Sequence, residues 1–280
     1  LSADGNGYWV TEYNCGTYDT VIFADTYKGL PVIGIDEGAF ANHAEIKTLK
    51  LPSTLIYIGK ESFKGCSGIT ELVIPDNVKT INEGAFYQCD GLKSVSFPLG
   101  LDLIGMNAFN GCPFLTSIEL PFTLTFVGRG CFANCTLLET VKISKNTAIM
   151  NTAFDSCSDS LKFITVEGNT RLPNYIESNK LNAKIEYVKD LSLGTVNNIA
   201  DNTYTGSAIT PSVELSLTSG EKVELNKDYK VVYRNNTKPG TAKLYVVGIG
   251  NYSEGYWKPF KIVCNHPDVT KTVSKAATCT

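Results

Sequence analysis

Histidine is nearly missing from this chain of 280 residues, with His43 and His266 its only copies. Two histidines leave little from which to build a Ser-His or Cys-His catalytic pair. Phosphate-cradling glycine loops, HExxH and GxSxG are all lacking. No run of about 18 apolar residues occurs, so no transmembrane helix is expected. An excess of one charge is missing too: 25 Lys and Arg stand against 28 Asp and Glu, a net charge of −3. That balance offers no clustered cations with which to hold nucleic acid or an anionic membrane surface. The absences point to a non-catalytic chain with no cofactor, no nucleic-acid partner and no insertion into a membrane. The length leaves room for two domains. A start at Leu1 rather than Met reads as an excised fragment whose secretion signal is already gone.

What the sequence has instead is repetition. Phenylalanines fall at Phe40, Phe63, Phe86, Phe109, Phe132 and Phe154, spaced by 23, 23, 23, 23 and 22 residues. Cys66, Cys89, Cys112, Cys135 and Cys157 each follow three residues behind, with His43 in the same, supposedly buried, slot of the first unit. Pro52, Pro75, Pro98 and Pro121 keep the same step, each preceded by an apolar pair such as Leu72 and Ile74. The pair continues at Val141 and Ile143, then at Ile164 and Val166, which leaves Phe163 facing out. A period between about 20 and 29 residues with this leucine-type pattern predicts a leucine-rich solenoid.

Nine cysteines suggest a disulfide framework, but five of them share one repeat slot. Stacked units bring equivalent positions to about 4.8 Å with parallel Cβ directions, whereas a disulfide needs converging Cβ atoms near 3.8 Å. The ladder therefore reads as free thiols serving as small apolar filler, and Cys131, in the slot of Ala39, Ala85 and Ala108, reads the same way.

Within one unit, Leu72 and Ile74 alternate with Glu71 and Val73, the period-two mark of a strand with one buried face. Pro75 has no N–H to give and ends the ladder. Val78 and Ile81 supply further inward contacts, and Ala85-Phe86-Tyr87-Gln88-Cys89 suits a single turn of α or 3-10 geometry on the convex side. One unit cannot bury its own phenylalanine, whereas six stacked units can, with a parallel sheet along one flank.

The pattern IPxxVxxIxxxAFxxCxxLxxVxxP over residues 32–166 resembles the BspA-like class of leucine-rich repeats of bacterial surface proteins. Residues 1–31 resemble the N-terminal cap of that class, with strands at Tyr8–Tyr13 and Thr20–Phe23, and residues 167–188 resemble its C-terminal cap, with a short helix at Asn174–Ser178. The resemblance implies secretion or display at the cell surface, adhesion to a protein or glycan on a host or neighbouring cell, and no catalysis by the repeats.

From about Asp190 the composition turns to Val, Tyr, Thr and Asn, and the 23-residue period stops. Short alternating runs such as DYKVVYR and TAKLYVVG between turn clusters predict a small all-β sandwich over 189–264. This segment is similar to bacterial immunoglobulin-like modules, which serve as spacers. Residues 265–280 read as a frayed tail or the truncated start of a further module. Cys264, His266 and Cys279 there supply three of the four ligands a zinc site needs, so no metal is assigned.

A partner surface is sought where outward slots break the polar habit of the repeat. The slot after each proline reads Ser53, Asp76, Leu99 and Phe122, and the slot before each inward isoleucine or valine reads Tyr57, Thr80, Leu103 and Phe126. Leu99, Leu103, Phe122 and Phe126 are expected to neighbour one another on the outside, with Tyr57 on the same row, as a candidate partner surface. Two competing readings remain at this point: a purely structural stalk, and an accessory region of a larger surface enzyme.

Overall fold

The structure, a computed structural model, describes residues 1–2, 5–12 and 18–263. It divides into two compact units, Leu1–Tyr187 and a second that starts at Val188.

In the first unit each coil contributes two short strands rather than one. The expected row is present at Thr48–Lys50, Glu71–Val73, Ser94–Ser96, Ser117–Glu119 and Thr140–Lys142. A second row, Tyr57–Ile58, Thr80–Ile81, Leu103–Ile104, Phe126–Val127 and Ala148–Ile149, forms the longer sheet. It is parallel and in register from coil to coil, and it continues through Leu30–Ile35 to Tyr8–Val10. Ile58, Ile81, Ile104 and Val127 are its inward residues and are buried. Ile81 thus does more than add an inward contact, whereas Val78, buried just before the strand, does that alone.

The convex side departs from the expected helical turn. Each coil there carries two residues with left-handed backbone, one two positions before the phenylalanine and one just before the cysteine slot. The first position reads Gly38, Glu61, Gly84, Asn107, Gly130, Thr152, and the second Asn42, Gly65, Gln88, Gly111, Asn134, Ser156. A left-handed residue ends any right-handed helix. The N–H groups turn instead toward the following coil: those of Phe40, Phe63, Phe86, Phe109 and Phe132 each reach a carbonyl one coil on, at 2.7–2.8 Å. Except where Ser156 follows Asn134, glycine alternates with a side-chain-bearing residue in these slots for a steric reason. A Cβ on Gly130 would come 2.4 Å from Asn107 Oδ1, and one on Gly84 3.1 Å from Glu61 Cγ.

Inside the coils the six phenylalanines form one column. Successive rings stack with centroids 5.1–5.5 Å apart and planes within 15°. Phe23 and Phe163 close the two ends edge-on. Each buried ring contributes about 1.5–3 kcal/mol by area transfer. The thiols are free, as expected, and they also donate: Sγ of Cys66, Cys89, Cys112, Cys135 and Cys157 lies 3.0–3.5 Å from the carbonyl oxygen of the phenylalanine one coil earlier. His43 is not buried like the thiols. Its side chain keeps 31% of its surface exposed, and Nδ1 meets Glu45 Oε1 at 2.7 Å.

One strand face was misassigned. The last phenylalanine gap is a residue short, and Val141 pairs with Phe163, not with Ile164. A slip of one residue exchanges the two faces of a strand: Phe163 and Thr165 are buried and Ile164 is half-exposed, while Val166 at the strand's end is buried as expected.

At the N-terminal cap the strands are Tyr8–Val10 and Thr20–Ile22; Tyr13 lies outside the described residues. At the other end the helix runs over Arg171–Ser178, three residues earlier than expected. Pro173 sits in its first turn, where no intrahelical N–H is needed, and Asn169 Oδ1 accepts the N–H groups of Arg171 and Leu172. Side chains replace the coil that would come next: Tyr175 OH accepts from Phe154 N at 3.1 Å, and Asn179 Oδ1 from Thr152 N at 3.0 Å.

The second unit has its own core of Leu191, Val196, Tyr229, Leu244, Val246, Phe260 and neighbours. Tyr229–Arg234, Gly240–Gly248 and Gly255–Val263 form an antiparallel meander, with Asn202–Thr203 added in parallel at its edge. Gly194–Val196 and Leu215–Leu217 make a separate antiparallel pair. Cys264, His266 and Cys279 lie outside the described residues.

Candidate interaction surface

The second-strand sheet shows one outward residue per coil, so a single row crosses the solenoid. In register it reads Trp9, Gly34, Tyr57, Thr80, Leu103, Phe126, Ala148. Three of the five proposed partner residues therefore share one line: Leu103 and Phe126 are adjacent, and Thr80 separates them from Tyr57. Tyr57 is 46% exposed, while Leu103 and Phe126 are half-buried. Leu99 and Phe122 are also half-buried, in the turns that join the two strands of their coils.

Trp9, in the segment that resembles a cap, is also a member of this row. Its indole stacks on Tyr57 with centroids 5.5 Å apart and planes at 19°. Gly34 makes the contact possible, because a Cβ there would lie 2.5 Å from Trp9 Cδ2. A glycine between two aromatic-bearing rungs was the available signal. Phe114 and Leu137 form a second unforeseen pair: 23 residues apart, they occupy one slot of consecutive coils, 51% and 47% exposed.

The first-strand row is polar by comparison. Thr48, Ser94 and Ser117 alternate with charged groups, and Lys142 reaches Glu119 on the neighbouring rung at 3.1 Å. Val73 is the exposed exception.

Chemistry at the thiols is suppressed by burial. It pushes the Cys66 thiol up to about 12 and the other solenoid thiols well above their ordinary range. A neutral thiol is a poor nucleophile and a poor ligand. Among the described residues no three His, Cys, Asp or Glu side chains gather as a metal site would need, and no helix is long and apolar enough to cross a membrane.

A depression opens beside the end of the row, where Ala148 meets the cap helix. Its volume is about 320 Å³, and Asn151, Arg171, Asn174 and Ser178 line it together with Ala148. No residue pattern signals it, because it depends on where the helix starts.

Comparison with known proteins agrees with the architecture. The family described as BspA type Leucine rich repeat region matches residues 33–162 in six copies, a little under half of the chain. No curated protein matches. The crystal structure of the T. pallidum leucine rich repeat protein is similar at 24% identity and a TM-score of 0.51, over 65% of this chain and 92% of that one, which shows the leucine-rich-repeat fold. A leucine-rich repeat protein from Bacteroides ovatus is 25% identical over 53% of this chain and 38% of its own, with a TM-score of 0.48. A leucine rich cell surface protein from Faecalibacterium prausnitzii is 18% identical over 59% and 73%, with a TM-score of 0.23.

Proposed function

We propose that this is a secreted or cell-surface bacterial binding protein, in which the solenoid engages a protein or glycan on a host or neighbouring cell and performs no catalysis itself. The observation that carries this reading is the outward row from Trp9 to Phe126, apolar except at Thr80, on a scaffold whose other sheet face is hydroxyl-rich and ion-paired. Apolar patches of this kind on a rigid surface favour partner binding. The likeness of residues 33–162 to BspA-type repeats supports the same reading.

The second unit is read as an immunoglobulin-like spacer. Its separate core and antiparallel meander fit a module that folds alone and carries no ligand.

The test is a glycan and extracellular-matrix protein array probed with the whole chain and with a Phe122→Ser, Phe126→Ser double variant. Captured ligand that is lost in the double variant supports the row. Binding that survives the change removes the row from the account, and a blank array favours a structural stalk.

A further inference from the structure

We propose that the depression between Ala148 and the cap helix is a subsite for a sugar ring that bears a carboxylate. The proposal rests on the reading of the solenoid as a ligand scaffold and names the chemistry of one part of that ligand.

The site is built from one helix face and one sheet end. Arg171, Asn174 and Ser178 lie at i, i+3 and i+7 of the helix and so share a face. That face and Asn151 look onto Ala148, the last outward residue of the sheet row. Because Ala148 is small and Phe126 stands on the adjacent rung, the floor drops by most of a side chain between the phenylalanine and the helix. At about 320 Å³ the space lies at the small end of ligand pockets, which begin near roughly 300 Å³.

The polar groups are solvent-exposed, and Arg171 alone among them is held by a hydrogen bond. Arg171 Nη1 donates to the carbonyl oxygen of Asn146 at 2.8 Å, which fixes the guanidinium and leaves its other N–H groups available. No carboxylate pairs with it among the described residues, and the side chains of Asn151, Asn174 and Ser178 make no hydrogen bond there either. Guanidinium favours a planar carboxylate. Amides and hydroxyls both donate and accept, which matches a ring of vicinal hydroxyls. Ile149, which also lines the depression, offers an apolar edge to the C–H face of the ring. An aspartate or glutamate of a peptide would engage the arginine alone and leave the three neutral, exposed groups to water, gaining nothing from them.

The experiment is titration of the whole chain with D-glucuronic acid, D-glucose and sodium acetate at neutral pH, followed by NMR. Glucuronate is expected to shift the amides of Ala148, Asn151 and Ser178 and to bind about tenfold tighter than either glucose or acetate, the effect of one charge-assisted contact. Arg171→Gln should bring glucuronate down to the level of glucose. Ser178→Glu, which keeps Arg171 and sets a negative charge at the rim, should do the same. Equal affinity for acetate and glucuronate, indifference to Arg171→Gln, or displacement of glucuronate by a tetra-aspartate peptide at lower concentration would each overturn the proposal. Array binding that depends on Phe122 and Phe126 without any glucuronate response sinks the subsite alone; a blank array beside specific glucuronate binding sinks the row alone.

Discussion

The hydroxyl of Tyr175 accepts the backbone N–H of Phe154, the bond that five earlier phenylalanines give to a main-chain carbonyl of the following coil. A solenoid end leaves such groups without partners, and here a side chain answers one of them. Tyr175→Phe keeps the ring and removes the acceptor. It is expected to destabilise the first unit by about 1–3 kcal/mol, the cost of a buried donor left unpaired. Urea unfolding of the variant checks this, and a change below a few tenths would mean water or another group takes over.

The thiol column makes stability depend on alkaline pH. Unfolded thiols ionise near their ordinary value of 9.0, whereas in the fold Cys66 is held protonated up to about 12 by burial. A raised folded pKa gives stability that is complete below pH 9 and is lost as pH climbs toward 12. Each such thiol adds a slope of up to about 1.4 kcal/mol per pH unit in that window. Urea midpoints should hold level from pH 7 to 8.5 and then fall, less steeply in Cys66→Ala.

Gly34 holds open the place of the Trp9 indole. Gly34→Ala puts a methyl 2.5–2.7 Å from three ring atoms, so the indole must leave Tyr57. The expected cost is about 1–3 kcal/mol. In a Trp257→Phe background, Trp9 emission should move to the red, and an unchanged spectrum would contradict the stacked geometry.

Ser62 occupies the slot that holds Ala39, Ala85, Ala108 and Ala153 in other coils. It is fully buried, and its hydroxyl has no partner among the described residues. Ser62→Ala removes a desolvated polar group and should stabilise by about 0.5–1 kcal/mol. Calorimetry that shows a lower Tm would instead reveal a hidden bond.

How much of this could be read in the residues alone varies with the physics involved. The phenylalanine and cysteine columns were plain, because one buried slot per coil admits few residue types and repeats them at a fixed step. The hairpin of Tyr229–Arg234 and Gly240–Gly248 was plain for its alternation. Thr80–Ile81 was not seen as a strand, since two residues carry no period. Ala85 to Cys89 looked helical by local preference, but bonds between coils and left-handed residues on either side prevailed. Phe163 was turned the wrong way by a single missing residue. The outer row was half visible: Tyr57, Leu103 and Phe126 could be aligned by period, whereas Trp9 joins them only through a contact across Gly34.

The left-handed slots, in which glycine takes turns with a larger residue, set a rule for how such a chain can lengthen or shorten. Cutting out the single coil that holds Gly84 would seat Glu61 directly beneath Asn107, two side chains claiming one space. Removing coils two at a time, twice 23 residues, restores the order. Between Gly38 and Asn134 the unit that can be lost or gained without such a clash is then the pair of coils, and Ser156 following Asn134 marks where that constraint relaxes.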